Sequence, residues 1–202
     1  MVHSFSDVLA DHLQESLDDD ARLYMGFIRD GVQRMRILIG DLLTFSRVGS
    51  PTSEAGPISL DAALDQALGN LQIAVEEAGA VVQVEPLPRV RADRSEIAQV
   101  FQNLVGNALK FRGEDVPHVR ISADRREQVV CVSVSDNGIG LDMAYSEKIF
   151  VLFQRLHTRD DYPGTGIGLA LCRKIVERYG GNIQVEAKPG EGATFRFTLP
   201  AA

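Results

Sequence analysis

At 202 residues, 45% of them hydrophobic, the chain has material for one sizeable core plus a smaller element. A net charge of −7, with no run of Lys or Arg longer than two, excludes a phosphate-backbone footprint, so no nucleic-acid partner is expected. No apolar stretch approaches the roughly 18–20 residues of a membrane span, no basic-then-apolar secretion signal opens the sequence, and Cys131 and Cys172 stand singly as small core residues. A cytoplasmic location is expected.

The first long pattern runs from Asp18 to about Gly49, where Tyr24, Ile28, Gly31, Met35, Leu38, Leu42 and Phe45 alternate steps of four and three. That is a heptad seam, which requires a partner helix. Asp18, Asp19 and Asp20 suit the positive end of its dipole, and "GSP" at Gly49–Pro51 ends it. A shorter helix over Phe5–Leu17 is expected to pair with it antiparallel across a turn at "LDDD", giving a partial helical hairpin over 1–49; it covers less than half of the long helix, so either the seam pairs elsewhere, as with a second copy of itself, or the first helix has been cut. A Pro/Gly/Ser-rich linker, 50–57, leads to a mixed α and β unit over 58–202.

Within that unit the expected order is a short strand at Ile58–Leu60, a helix at Asp61–Ala78, one or two strands in "VVQVEPLPRVRAD" and a helix over Arg94–Phe111. A hairpin of "HVRISAD" and "QVVCVSVSD" follows, then a short helix at Met143–Phe150, a polar loop to Tyr162 and a helix over Thr165–Tyr179. "NIQVEA" and "ATFRFTLP" close the chain as strands. Consecutive antiparallel strands with interspersed helices argue for an α+β fold, a two-layer α/β sandwich rather than a doubly wound parallel sheet.

Three stretches carry candidate chemistry. In "QVFQNLVGNALKF", Ile97, Phe101, Leu104, Ala108 and Phe111 make an apolar stripe, while Asn103, Asn107 and Lys110 make a polar stripe beside it. Two amides and an ammonium in that position suit a metal-bound polyphosphate, and Asn is otherwise a poor helix-interior residue; the plain alternative is a solvated helix face. In "VSVSDNGIGL" a strand delivers Asp136 to its end, and Gly138 and Gly140 let the backbone approach a ligand closely. That carboxylate could accept from an exocyclic amine such as adenine's, although Asp-Asn-Gly is also ordinary turn chemistry. In "YPGTGIGLALCRKIV", Gly164, Gly166 and Gly168 precede an amphipathic helix whose N-terminal N–H groups suit phosphates. No Gly-Lys-Ser/Thr follows, and Leu169 takes the third glycine position of the dinucleotide fingerprint, so neither of those loops is present.

In this order the three stretches resemble the nucleotide-binding boxes of sensor histidine kinases, whose Bergerat-type ATP fold is shared with gyrase, Hsp90 chaperones and mismatch-repair ATPases. The resemblance continues through "KIFVLFQRLHTRDDYPGTGIGLALCRKIVERYGGNIQVEAKPGEGATFRFTLP", which is similar to the kinases of phytochrome-type photoreceptors. The resemblance implies ATP and Mg²⁺ as ligands, with Asn107 holding the metal, Asn103 beside it and Lys110 on a phosphate. It further implies Phe111 near the base, Asp136 on the adenine amino group and close approach at Gly138 and Gly140. Phe150 and Phe153 would anchor a lid, and Arg155 would orient the γ-phosphate. Gly164, Thr165, Gly166, Gly168 and Leu169 would close over the phosphates, with Thr194 near the adenine-binding carboxylate. Asn103, Lys110 and Arg155 are the implied catalytic residues.

Where Asn103 stands, the hydrolysing relatives carry a glutamate that activates water. An amide cannot take that proton, so transfer of the γ-phosphoryl to another acceptor is favoured over hydrolysis. The seam helix resembles the second helix of the family's dimerisation and phosphotransfer hairpin. This implies a homodimer, an upstream sensor domain and a response-regulator receiver domain as partner. The family's acceptor histidine is followed by an acidic residue and then a proline; His12 precedes Leu13 and lies near the turn, and His3 precedes Ser4. Aligned through the seam helix, the acceptor falls about eight residues before Met1. Neither His118, before a strand, nor His157, in the lid, fits the acceptor pattern. The competing readings are a degenerate or truncated ATP-binding module acting through partner binding, an anti-sigma-type serine kinase and an ATP-hydrolysing relative.

Overall fold

The computed structural model describes residues 18–49, 55–156, 162 and 164–202. The expected first limb of the hairpin with His3 and His12, most of the linker, and His157 lie outside the described residues. The chain divides into two compact units, the first ending at Thr44 and the second spanning Phe45–Ala202.

Helix α1 spans Asp19–Arg47 and begins on Asp18, whose carboxylate accepts from the Ala21 N–H at 2.8 Å. Tyr24, Ile28, Met35 and Leu42 of the expected seam are 47–60% exposed, and Leu23, Phe27, Ile37, Ile39 and Leu43 are exposed as well. The apolar surface of α1 is therefore broader than a single seam. Its last turn belongs to the second unit: Lys174 Nζ donates to the Phe45 carbonyl at 2.6 Å and lies 4.3 Å from the Phe45 ring. A cation there also suits the negative end of the helix dipole.

The second unit runs β1 (Gly56–Ser59), α2 (Leu60–Ala78), β2 (Val81–Val84), β3 (Arg89–Ala92), α3 (Arg94–Lys110), β4 (His118–Arg126) and β5 (Val129–Asp136). Two 3-10 turns (Met143–Tyr145 and Lys148–Phe150), α4 (Gly168–Arg178), β6 (Ile183–Ala187) and β7 (Ala193–Pro200) complete it. The main sheet has the order β2-β4-β5-β7-β6, and β1 pairs with β3 separately. All pairs are antiparallel except β2–β4. This is the expected α+β two-layer sandwich.

Alternation along the strands fills the space between the layers. Val130, Val132 and Val134 of β5 and Phe195, Phe197 and Leu199 of β7 are buried together with Ile97, Phe101, Leu104 and Ala108 of α3. Phe101 meets Phe197 edge-on at 5.8 Å, and each such fully buried side chain contributes about 2–3 kcal/mol. Asp93 caps α3 through the N–H groups of Ser95 and Glu96. At this same end of α3, Glu96 accepts from Arg178 and from the Tyr179 hydroxyl, which itself accepts from the Asp93 N–H. These two helices therefore have a fixed mutual register.

Several expected elements differ locally. Leu60 starts α2 rather than ending β1, because Ser59 caps the helix by accepting from Ala62 N–H. The expected helix over Met143–Phe150 is two separate 3-10 turns. Helix α4 starts at Gly168, not Thr165, since Gly164 and Gly166 have φ of 149° and 74°, outside helical space. Cys172 is buried as expected, but Cys131 is half-buried on the sheet face away from the helices, one residue out of phase with the buried valines.

Candidate functional site

Helix α3 is amphipathic with Asn103, Asn107 and Lys110 on the flank of its buried stripe, all three half-buried. Asn103 Nδ2 donates to the Gly168 carbonyl at 3.3 Å, joining the middle of α3 to the first residue of α4. One turn further on, the Asn107 side chain has no protein partner among the described residues. Lys110 lies 4.1 Å from the Phe111 ring centroid, and a Cβ on Gly164 would come within 2.9 Å of its Nζ. Burial first, and then the charge of Arg155, lowers the Lys110 ammonium from its ordinary value. An ammonium with no carboxylate beside it among the described residues, partly desolvated and next to a second cation, favours an incoming anion.

Phe111 ends α3 and connects it to the loop after β5. Its carbonyl accepts the Ile139 N–H at 2.9 Å, and its ring lies 4.9 Å from that of Tyr162. A Cβ on Gly138 would be 2.4 Å from the same carbonyl, so only glycine permits this approach. Gly140 has φ of 63°, and a Cβ there would be 2.1 Å from the Lys188 carbonyl oxygen. Both positions are held between backbone segments.

Asp136 stands at the end of β5, opposite Ala193 of β7. Its Oδ1 accepts from the N–H groups of Gly138 at 2.9 Å and Ala193 at 3.2 Å, which leaves Oδ2 without a protein donor among the described residues. Burial raises its pKa from the ordinary value, and the two backbone N–H groups oppose that rise. Thr194, one residue along, donates to Ser135 Oγ at 2.9 Å. The neighbouring Asn137 is a structural staple, accepting from His118 N–H and donating to the Val116 carbonyl.

The segment between the 3-10 turns and α4 is tied to the same region. Phe150 is buried and meets Phe195 edge-on at 6.4 Å, whereas Phe153 is exposed. Phe153 has φ of 64°, and its N–H donates to the Gly166 carbonyl at 3.0 Å. A left-handed conformation at a bulky residue costs about 1–3 kcal/mol and persists only when its surroundings fix it. Arg155 Nη2 donates to the Tyr162 carbonyl at 2.6 Å. Thr165, Gly166 and Leu169 flank the start of α4, whose N-terminus receives no side-chain cap.

Asn103, Lys110, Phe111, Gly138, Gly164 and Gly168 are thus brought together by direct contacts, and Asp136 and Gly140 adjoin them through the β5 loop. One participant was not anticipated from sequence: Tyr162, whose ring lies against Phe111. Among the described residues, Asn107, Lys110 and Asp136 Oδ2 have no hydrogen-bonding protein partner and the start of α4 has no side-chain cap, and the glycine surfaces admit close contact. Together they fit a Mg²⁺-bound nucleotide.

Comparison with known proteins accords with this geometry. Residues 92–202 match the family described as histidine kinase-, DNA gyrase B- and HSP90-like ATPases. Over 98% of its length the chain is 47% identical to cyanobacterial phytochrome A of a Nostoc species and 44% identical to the phytochrome-like protein Cph1 of a Synechocystis species. It spans only 26% and 27% of those two proteins. Among solved structures, it superposes on full-length ShkA in complex with AMPPNP with a TM-score of 0.74 at 27% identity, covering all of this chain and 42% of that one. It superposes on the histidine kinase ThkA in complex with the response regulator TrrA with a TM-score of 0.70 at 25% identity, covering 98% of this chain and 57% of that one. The chain therefore belongs to the histidine kinase-, DNA gyrase B- and HSP90-like ATPase family, as a catalytic domain of the sensor histidine kinase type.

Proposed function

We propose that this chain binds Mg·ATP and transfers its γ-phosphoryl group to a histidine, from which it passes to the aspartate of a response-regulator receiver domain. The observation that carries the reading is the juxtaposition of the α3 polar stripe with the glycine segment before α4: Asn103 bonds Gly168, and Lys110 faces Gly164. In this arrangement Asp136 accepts from the adenine amino group through its unpartnered oxygen, and Gly138 and Gly140 give the base a close backbone wall. Asn107 holds the metal, whose charge offsets that of the phosphate oxygens. Lys110 and Arg155 bind the terminal phosphates, and the start of α4 supplies N–H donors. Phe150 and Phe153 anchor the segment that leads to Arg155.

Asn103 supports transfer over hydrolysis. No amide can act as the general base toward water, so the γ-phosphoryl is held for a positioned acceptor. The broad apolar surface of α1 supports a homodimer built on the helical hairpin, with a sensor domain upstream in the parent protein. None of the four histidines matches the acceptor pattern, and a histidine presented in trans is the substrate to use. With γ-labelled Mg·ATP, the chain alone is expected to release phosphate slowly. Adding a separate hairpin fragment with an intact acceptor box is expected to produce acid-labile label on that fragment. Fast phosphate release unaffected by the fragment would replace the kinase reading with an ATPase one.

A further inference from the structure

Tyr162 is half-buried and takes no part in the nucleotide contacts proposed above, yet it joins the two elements that carry the cations of the site. Its ring lies 4.9 Å from the Phe111 ring at a tilt of 47°, and Lys110 Nζ lies 4.1 Å from the centroid of the same Phe111 ring. The Tyr162 backbone carbonyl accepts from Arg155 Nη2 at 2.6 Å. Its side chain therefore meets the end of α3, while its main chain holds the guanidinium.

Phe111 is a firm support for that ring. Its carbonyl accepts the Ile139 N–H at 2.9 Å, and Gly138 closes on the same carbonyl so tightly that a Cβ there would be 2.4 Å from it. Any residue at position 162 supplies a carbonyl; the stacked ring decides where that carbonyl stands. A guanidinium is a planar fork of five N–H donors, so one bond to a fixed carbonyl orients the fork without exhausting it. The charge of Arg155 reaches Lys110, whose ammonium is lowered first by burial and then by that charge. Two such cations repel each other, and the bond to the Tyr162 carbonyl opposes their separation.

We propose that Tyr162 is a positioning residue: stacked on Phe111, it fixes the carbonyl that holds Arg155 beside Lys110, where both cations meet the terminal phosphate. This rests on the Mg·ATP reading above. Removing the ring leaves the carbonyl in the chain but no longer in place, so the loss falls on the group that Arg155 binds, the γ-phosphate, and not on the rest of the nucleotide.

The test compares Tyr162→Ala, which removes the ring, with Tyr162→Phe, which keeps it, each in the parent and in an Arg155→Gln background. Affinities for Mg·ATP and Mg·ADP are titrated, and their ratio isolates the γ-phosphate. In Tyr162→Ala the ratio is expected to fall by about threefold to tenfold, the equivalent of one aromatic pair, with Mg·ADP affinity within about twofold of the parent. Tyr162→Phe is expected to keep the ratio, and Tyr162→Ala is expected to have no further effect once Arg155 is glutamine. An unchanged ratio in the alanine variant, an equal loss for both nucleotides, an equal loss in the phenylalanine variant, or a full loss in the Arg155→Gln background each overturns the proposal.

A second arm needs no nucleotide. The ¹⁵Nζ titration of Lys110 is expected to move upward in Tyr162→Ala, as Arg155 leaves its neighbourhood, and to stay in place in Tyr162→Phe. The double variant Tyr162→Ala, Arg155→Gln is expected to titrate like Arg155→Gln alone. An unmoved titration in the alanine variant, or shifts that add in the double variant, overturns the proposal. Should the parent chain bind no ATP, the Mg·ATP reading fails, while this arm still decides whether Tyr162 places Arg155.

Discussion

Asp136→Asn separates the role of Asp136 in the fold from its role toward a nucleotide. The carboxylate is held through Oδ1 by two backbone N–H groups, and the carbonyl oxygen of an asparagine can accept both, so the loop after β5 is retained. What disappears is the charged acceptor at Oδ2. A hydrogen bond to a charged group is worth about 1.5–3 kcal/mol, so ATP and ADP are each expected to bind about tenfold to a hundredfold more weakly. Calorimetric titration with both nucleotides measures this, and inosine triphosphate, with an acceptor in place of the amino group, is the specificity control. The parent is expected to prefer ATP, and the variant to lose that preference. The pH dependence follows from the raised pKa. Because the folded state holds this proton more tightly than the unfolded state, the contribution to stability is fullest below the unfolded value near 3.8 and is lost as pH rises through the folded value. Nucleotide affinity runs the other way, present above the folded value and lost below it. A variant that melts like the parent and binds ATP within about twofold of it would refute the reasoning, since a lost charged hydrogen bond cannot cost so little.

Gly192→Ala would place a Cβ 2.0 Å from the Asp136 carbonyl oxygen at a φ of 82°, and is expected to destabilise the fold by about 2–4 kcal/mol. An unchanged melting temperature would show that this loop yields easily. Glu96→Ala removes the carboxylate that Arg178 and Tyr179 share at a largely buried position, an expected loss of about 2 kcal/mol in urea unfolding. No change in the midpoint would remove the clamp from the account. The lowered Lys110 ammonium should lose its proton, and Mg·ATP affinity with it, before an ordinary lysine does on the alkaline side. The folded state binds this proton less tightly, so stability from this group rises as pH increases through that range. Arg155→Gln is expected to move the ¹⁵Nζ titration of Lys110 upward; identical curves would mean that Arg155 does not act on it.

The two layers of this fold and its β4–β5 hairpin follow patterns visible in the sequence, because alternation in β5 and β7 and the apolar stripe of α3 each bury one face; the strand order, with β2 parallel to β4, does not. The misjudged places are those where local geometry depends on tertiary partners. Helix α4 begins late because Gly166 packs against the backbone of Phe153 and Gln154, a contact distant in sequence. Cys131 follows the phase of its strand onto the other sheet face, which its apolar neighbours concealed. Among the candidate site residues, Asn103, Lys110 and Asp136 were legible from residue type and spacing, since an amide in a helix interior and a carboxylate at a strand end need partners. Tyr162 was not, because its ring meets Phe111 only through the tertiary fold.

The central claim is that three separated stretches form one nucleotide site, and backbone amide shifts on titration with Mg·AMPPNP test it most directly. The account predicts the largest changes at Asn103, Asn107, Phe111, Gly138, Gly140 and Gly164–Leu169. Changes confined instead to the groove of about 380 Å³ between α2 and α3, lined by Leu71, Ala74, Gly106 and Leu109, would contradict it.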